Sequence, residues 1–173
     1  MTGAVFVDTN VLVYVRDSRD VSKQRRAVAW HEYLWKERQG RISMQVIAEF
    51  YLTLARLSGN AVPAGELWDR AARYFAWNPQ QVDEALLRRA REIEAGYRLS
   101  WWDSMIAAAA QLQDCSVLLT EDLQDGAVIG TVTVRSPFTL AVAEPRSAYE
   151  LPVAAPLHRP RGRPRRAQAI AAG

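Results

Sequence analysis

The stretch Ala4-Val5-Phe6-Val7-Asp8-Thr9-Asn10 decides the fold of this chain. Four apolar residues rich in β-branched and aromatic types read as a short buried strand. Asp8, Thr9 and Asn10 then stop it with side chains that favour turns and helix N-caps. The first strand therefore ends at an acid, and a helix is expected to follow at once.

The same alternation continues outward. Residues 11–16 predict one or two helical turns, and Ala27, Trp30, Tyr33, Leu34 and Glu37 repeat at helical spacing over about 22–38, with Gly40 closing that helix. Arg41-Ile42-Ser43-Met44 reads as a weak second strand. Val46, Ile47, Phe50, Tyr51, Leu54 and Leu57 then give a strong amphipathic helix up to Ser58-Gly59-Asn60. Pro63 opens a helix through about Phe75, and Asn78-Pro79 makes a turn. Gln81 to Tyr97 is helical, with Val82, Ala85, Leu86, Ala90 and Ile93 on its packed side. Ser100-Trp101-Trp102-Asp103 has the capping-box form and starts an alanine-rich helix to Leu112. Val117-Leu118-Leu119 is a strand ended by Thr120-Glu121-Asp122, Gly126 marks a loop, and Val132-Thr133-Val134 is a last strand. Parallel neighbours need helical crossovers, so this order predicts an α/β protein: a three-layer α/β/α sandwich around a small, mainly parallel sheet.

Composition sets the bounds. The 173 residues are 49% hydrophobic and 24% charged, which suits one globular domain with a short appendage. No apolar run nears the ~18 residues that cross a bilayer, and Asp8 interrupts the first apolar stretch, so a cytoplasmic protein without a membrane partner is expected. One cysteine and two histidines exclude a disulfide framework and a thiolate or multi-histidine metal cage. A bound metal would need carboxylate ligands, which suit Mg2+ or Mn2+. Residues 145–173 carry six arginines against one glutamate, so the net +3 of the chain belongs to its tail and residues 1–144 come to −2. A domain over residues 1–140 and a Pro/Arg/Ala-rich tail over 141–173, expected to be disordered, follow from that shift.

Asp8 and Asp122 fall at the carboxyl ends of predicted strands, the edge where open parallel sheets bind ligands. Asp103 begins a helix just before one of those strands. Glu49 sits beside the apolar stripe of the helix after strand 2, where it is exposed to desolvation unless paired or ligated. Each acid also has a structural reading: a helix cap for Asp8, a capping box for Asp103, a loop acid for Asp122. If the four converge, their repulsion, roughly 4 kcal/mol per pair at 4 Å, needs a divalent cation to offset it. A carboxylate-held metal without other catalytic machinery points to phosphodiester hydrolysis.

Four segments carry a resemblance to a known family: residues 5–14 (Val5 to Tyr14), 45–51 (Gln45 to Tyr51), 101–110 (Trp101 to Ala110) and 118–126 (Leu118 to Gly126). In order and approximate spacing they resemble the four motifs of the PIN-domain ribonucleases, and most of all the VapC-type toxins of bacterial toxin–antitoxin pairs. The resemblance implies a metal-dependent endoribonuclease, dimeric and neutralised by a cognate antitoxin. It matches Asp8, Glu49 and Asp103 to three acids that coordinate Mg2+ or Mn2+, and Asp122 to a variable fourth position, with Asp125 on another acidic position of that motif. Thr9 and Asn10 match residues that orient the first aspartate, and Thr120 a hydroxyl that contacts the fourth-motif loop or a phosphate.

Receiver domains and haloacid-dehalogenase-type phosphatases also place acids at strand ends, but both need a late lysine, and the only lysines are Lys23 and Lys36. No P-loop match occurs. The alternative from another class is a non-catalytic nucleic-acid-binding module. Its Pro160-Arg161-Gly162-Arg163-Pro164-Arg165-Arg166 segment resembles an AT-hook, and Arg161, Arg163, Arg165 and Arg166 would enter a narrow minor groove of DNA.

Overall fold

The computed structural model describes residues 3–139, so the tail and its arginines lie outside the described residues. Strand β1 (Ala4–Val7) leads into helix α1 (Thr9–Tyr14), then α2 (Val21–Glu37), β2 (Gly40–Arg41), α3 (Met44–Ser58) and α4 (Ala64–Ala72). A 3-10 turn (Arg73–Trp77) and helices α5 (Glu84–Tyr97) and α6 (Trp101–Leu112) precede β3 (Cys115–Leu119), β4 (Val128–Ile129) and β5 (Val132–Arg135). The sheet runs β2-β1-β3-β5-β4, and only the β4–β5 pair is antiparallel. The expected α/β/α sandwich with a mainly parallel sheet is the observed one. Among the described residues no helix is long and apolar enough to cross a membrane.

The core is the sheet's apolar run. Val5, Phe6, Val7, Val117, Leu118 and Leu119 are all buried, and Ala107 to Ala110 of α6 are fully covered. Small side chains at those four positions let α6 approach the sheet closely, with β3 beneath it.

Several boundaries differ from the sequence reading for local reasons. Helix α2 ends at Glu37 on a left-handed Arg38, so Gly40 does not close it but begins β2. There a side chain is excluded because a Cβ would meet the Trp77 ring at 2.7 Å. Ser43 caps α3 by accepting from the Val46 amide, which pulls Met44 into the helix and shortens the second strand. The expected helix to Phe75 changes to a 3-10 turn at Arg73. Asp83 caps α5 through the Leu86 amide, leaving Val82 outside the helix and half-exposed instead of on its packed side. Strand β4 has no sequence signal because it is two residues long. It exists because Gly130, at φ +59°, makes the tight turn that folds Ile129 onto Val132.

Topology places the site. From β1 the chain crosses to β2 on one side, whereas β3, hydrogen-bonded to the other side of β1, continues towards β5. The connections leaving β1 and β3 diverge and open a crevice at the carboxyl edge of the sheet. The register Val7↔Leu119 sets Asp8 beside Thr120 at the head of that crevice.

Candidate active site

Asp8 is fully buried and caps α1, its carboxylate accepting from the Thr9 amide. Its backbone amide donates to the Leu119 carbonyl, 3.0 Å away, so the first strand's pairing continues into the acid. Thr120, also buried, donates its hydroxyl to Asp8 Oδ2 across 2.7 Å and accepts from the Asp122 amide at 3.1 Å. Asn10 Nδ2 stands between the acids, 3.1 Å from Asp8 Oδ2, 3.1 Å from Asp122 Oδ2 and 3.0 Å from Thr120 Oγ1. Strand 1 and strand 3 thus each deliver one acid and one neutral side chain that holds the pair.

Thr9 serves a different acid from the one expected. Its hydroxyl donates to Glu49 Oε2 at 2.8 Å, while only its amide reaches Asp8. Gln45, one helical turn before Glu49 on α3, donates to Oε1 at 2.8 Å. Gln45 is the positioning residue that sequence reading missed. Its signal was the four-residue spacing, which stacks side chains on one helix face. Asp103 lies at the third position of α6 and is almost wholly buried. Ser100 Oγ donates to its Oδ2 at 2.7 Å and accepts from its amide at 3.1 Å. The capping arrangement expected for Ser100 and Asp103 is present, with the hydroxyl supplying both bonds.

These residues border a cleft of about 670 Å³. Thr9, Asn10, Glu49 and Asp122 line it, as do Arg56 and Trp102; Asp8 and Asp103 are buried and are not among the lining residues, and Asp8 joins the rim through Asn10. Two further lining residues, Tyr14 and Glu121, are held by Lys23 of α2, which donates to Glu121 and to the Tyr14 hydroxyl at 3.1 Å and sits 4.7 Å from the Tyr14 ring centroid and 4.9 Å from that of Phe138. The Glu121 hydrogen bond raises the Lys23 pKa, and burial raises that of the Tyr14 hydroxyl, so the clasp is charged at Lys23 and neutral at Tyr14 near neutral pH.

A family model for the PIN domain matches residues 5–124. The chain belongs to the PIN domain family. Two solved structures share the fold. One is VapC20 of Mycobacterium tuberculosis, described as a sarcin-ricin loop cleaving toxin, at 19% identity and TM-score 0.51 over 66% of this chain and 87% of that one. The other is a toxin-antitoxin complex from Klebsiella pneumoniae, at 24% identity and TM-score 0.51 over 78% and 97%. Among curated proteins no sequence matches the chain.

Within this PIN domain the two acids of the fourth segment separate. Asp122 is bonded to Asn10 and lines the cleft. Asp125 is exposed and lies 3.2 Å from Arg135 Nε, and it accepts from the Ser136 amide at 2.9 Å and the Thr139 hydroxyl at 3.2 Å. Asp125 therefore fastens the end of the described chain. Asp8, Glu49 and Asp122 offer oxygen donors only, a set that suits a hard divalent cation in kind. Among the described residues no three His, Cys, Asp or Glu side chains form a closed metal-holding group. The acids are instead linked through Asn10, Thr9 and Thr120.

Proposed function

We propose that this PIN domain is a metal-dependent endoribonuclease and the toxin of a toxin–antitoxin pair. The observation that carries the reading is the Asn10 amide held between Asp8 and Asp122, with Thr9 next to it holding Glu49, at the rim of one cleft. Three acidic positions on separate elements are kept near one another by neutral donors. An ordinary capping role for each acid would not link them through the adjacent Thr9 and Asn10 beside one cleft.

Asp8, Glu49 and Asp103, with Asp122, are the residues that would hold Mg2+ or Mn2+. The chemistry a bound divalent cation supplies here is acidification of a water and neutralisation of charge building on a scissile phosphate. Asn10 and Thr120 fix the Asp8 and Asp122 carboxylates, and Gln45 and Thr9 fix Glu49, so that little reorganisation is left for the reaction. Fold-level likeness to a toxin-antitoxin complex supports an antitoxin as protein partner, and a homodimer is the expected assembly.

The test is cleavage of a mixed structured-RNA pool by purified protein with Mg2+ or Mn2+ against EDTA, beside Asp8→Asn. Metal-dependent cleavage lost in the variant is the expected result. Cleavage that persists in both Asp8→Asn and Asp103→Asn overturns the assignment. Wild type that binds nucleic acid through residues 145–173 and never cleaves would favour the binding-module reading.

A further inference from the structure

One face of α3 lines the cleft. Glu49, Leu52, Thr53 and Arg56 all line it, at the three- and four-residue spacing that puts side chains on a single helical stripe. The opposite stripe, Val46, Ile47, Phe50 and Leu54, is buried in the core. The outer part of the cleft is unlike its acidic end. Leu52 is 63% exposed and Trp102 50% exposed, two large apolar side chains presented to water in the same depression. Trp101, its neighbour, is packed against the core, so the first turn of α6 turns one indole inward and the other to the cleft.

Cation chemistry is available beside them. Arg19 is neutralised by Asp17, whose carboxyl the Arg19 hydrogen bonds hold down to about 2. Arg56 is different, because its guanidinium meets the neutral Thr53 hydroxyl at 3.1 Å. Seven residues separate Arg56 from Glu49, about 10 Å along the helix axis, so a phosphate on Arg56 flanks the acids instead of lying among them.

We propose that Trp102, with Leu52 and Arg56, forms a flanking-nucleotide subsite in which an unpaired base stacks on the Trp102 indole and its phosphate lies on Arg56. A flat aromatic face, an aliphatic wall and one cation at the edge of a cleft are what an unstacked nucleotide requires and what a paired base, buried in its duplex, is unable to use. The occupant is therefore single-stranded nucleic acid, a loop or an end. This subsite rests on the nuclease reading for its direction relative to Glu49 but not for its ability to bind.

The test is binding of a single-stranded oligoadenylate by the full-length protein, followed by tryptophan fluorescence and by an independent anisotropy titration. The variants are Trp102→Ala, Trp102→Phe and Arg56→Gln, and an abasic oligonucleotide of the same length serves as control. Trp102→Ala is expected to weaken oligoadenylate binding about tenfold and leave abasic binding unchanged. Trp102→Phe should retain most of the affinity, and Arg56→Gln should weaken both ligands and flatten the salt dependence. Equal oligoadenylate binding by wild type and Trp102→Ala overturns the subsite, as does an equal loss on both ligands. If the base-dependent loss is seen in a protein that cleaves no RNA with any divalent metal, the subsite stands and the nuclease reading falls.

Discussion

Thr120 donates its hydroxyl to Asp8 across 2.7 Å, although 112 residues separate them in the chain. Both side chains are buried, so this bond is made in a medium where a lost partner is not replaced by water. Thr120→Val should therefore destabilise the fold by about 1–3 kcal/mol and reduce RNA cleavage, whereas Thr120→Ser should restore most of both. Urea denaturation beside a cleavage assay reads the two effects. A Thr120→Val protein as stable as wild type would show that the bond contributes nothing.

The two acids of the fourth segment should part company functionally. Asp122→Ala removes a cleft carboxylate held by Asn10 and is expected to slow cleavage at least about tenfold, a barrier change of ~1.4 kcal/mol. Asp125→Ala removes exposed contacts to Ser136 and Thr139 and the partner of the largely buried Arg135, so a stability loss of about 1 kcal/mol with nearly unchanged cleavage is expected. Equal kinetic effects in the two variants would reverse that assignment.

Metal binding should be visible without any substrate. A cation that binds only the folded protein adds about 2.7 kcal/mol of stability at a hundredfold excess over its Kd. Thermal unfolding of the wild type should rise with Mn2+, and the rise should vanish in Asp8→Asn. Identical Mn2+ responses in the two proteins would remove Asp8 from the ligand set.

His31 gives the fold a pH dependence away from the cleft. Its Nε2 accepts from the Trp35 indole at 2.9 Å, and Tyr74 and Trp77 lie against the ring. Burial, and then the charges of Arg16 and Arg73, push its pKa down to about 4. The unfolded chain therefore binds this proton more readily than the folded one between about pH 6.5 and 4, so stability present above that window is lost as pH falls through it. His31→Phe should lose less stability than wild type between about pH 7 and about pH 5 in urea titrations. Parallel losses would remove His31 as the cause.

Short-range chemistry made the fold legible in the sequence. The apolar runs Ala4 to Val7, ended by Asp8, and Val117 to Leu119, ended by Thr120 to Asp122, marked strands β1 and β3, and the stripe through Val46, Ile47, Phe50 and Leu54 marked the packed face of α3. Boundaries set by a single cap, at Arg38, Ser43 and Asp83, were less legible, and side-chain exclusions set by a distant residue were not legible at all. Trp77 is what forbids a side chain at position 40, and nothing near Gly40 in the chain announces it.

The residue types settled by themselves that no thiolate or multi-histidine metal cage is available and that one strand ends on an acid, because these follow from composition and from periodicity along a few residues. Only the tertiary structure decided that Thr9 holds Glu49, that Asn10 joins Asp8 to Asp122, and that Asp125 pairs with Arg135, Ser136 and Thr139 instead of the cleft. It also decided which of Trp101 and Trp102 faces the cleft. Those relationships depend on the parallel register of β1 with β3 and on the side of the sheet to which each connection turns, and a linear pattern carries neither.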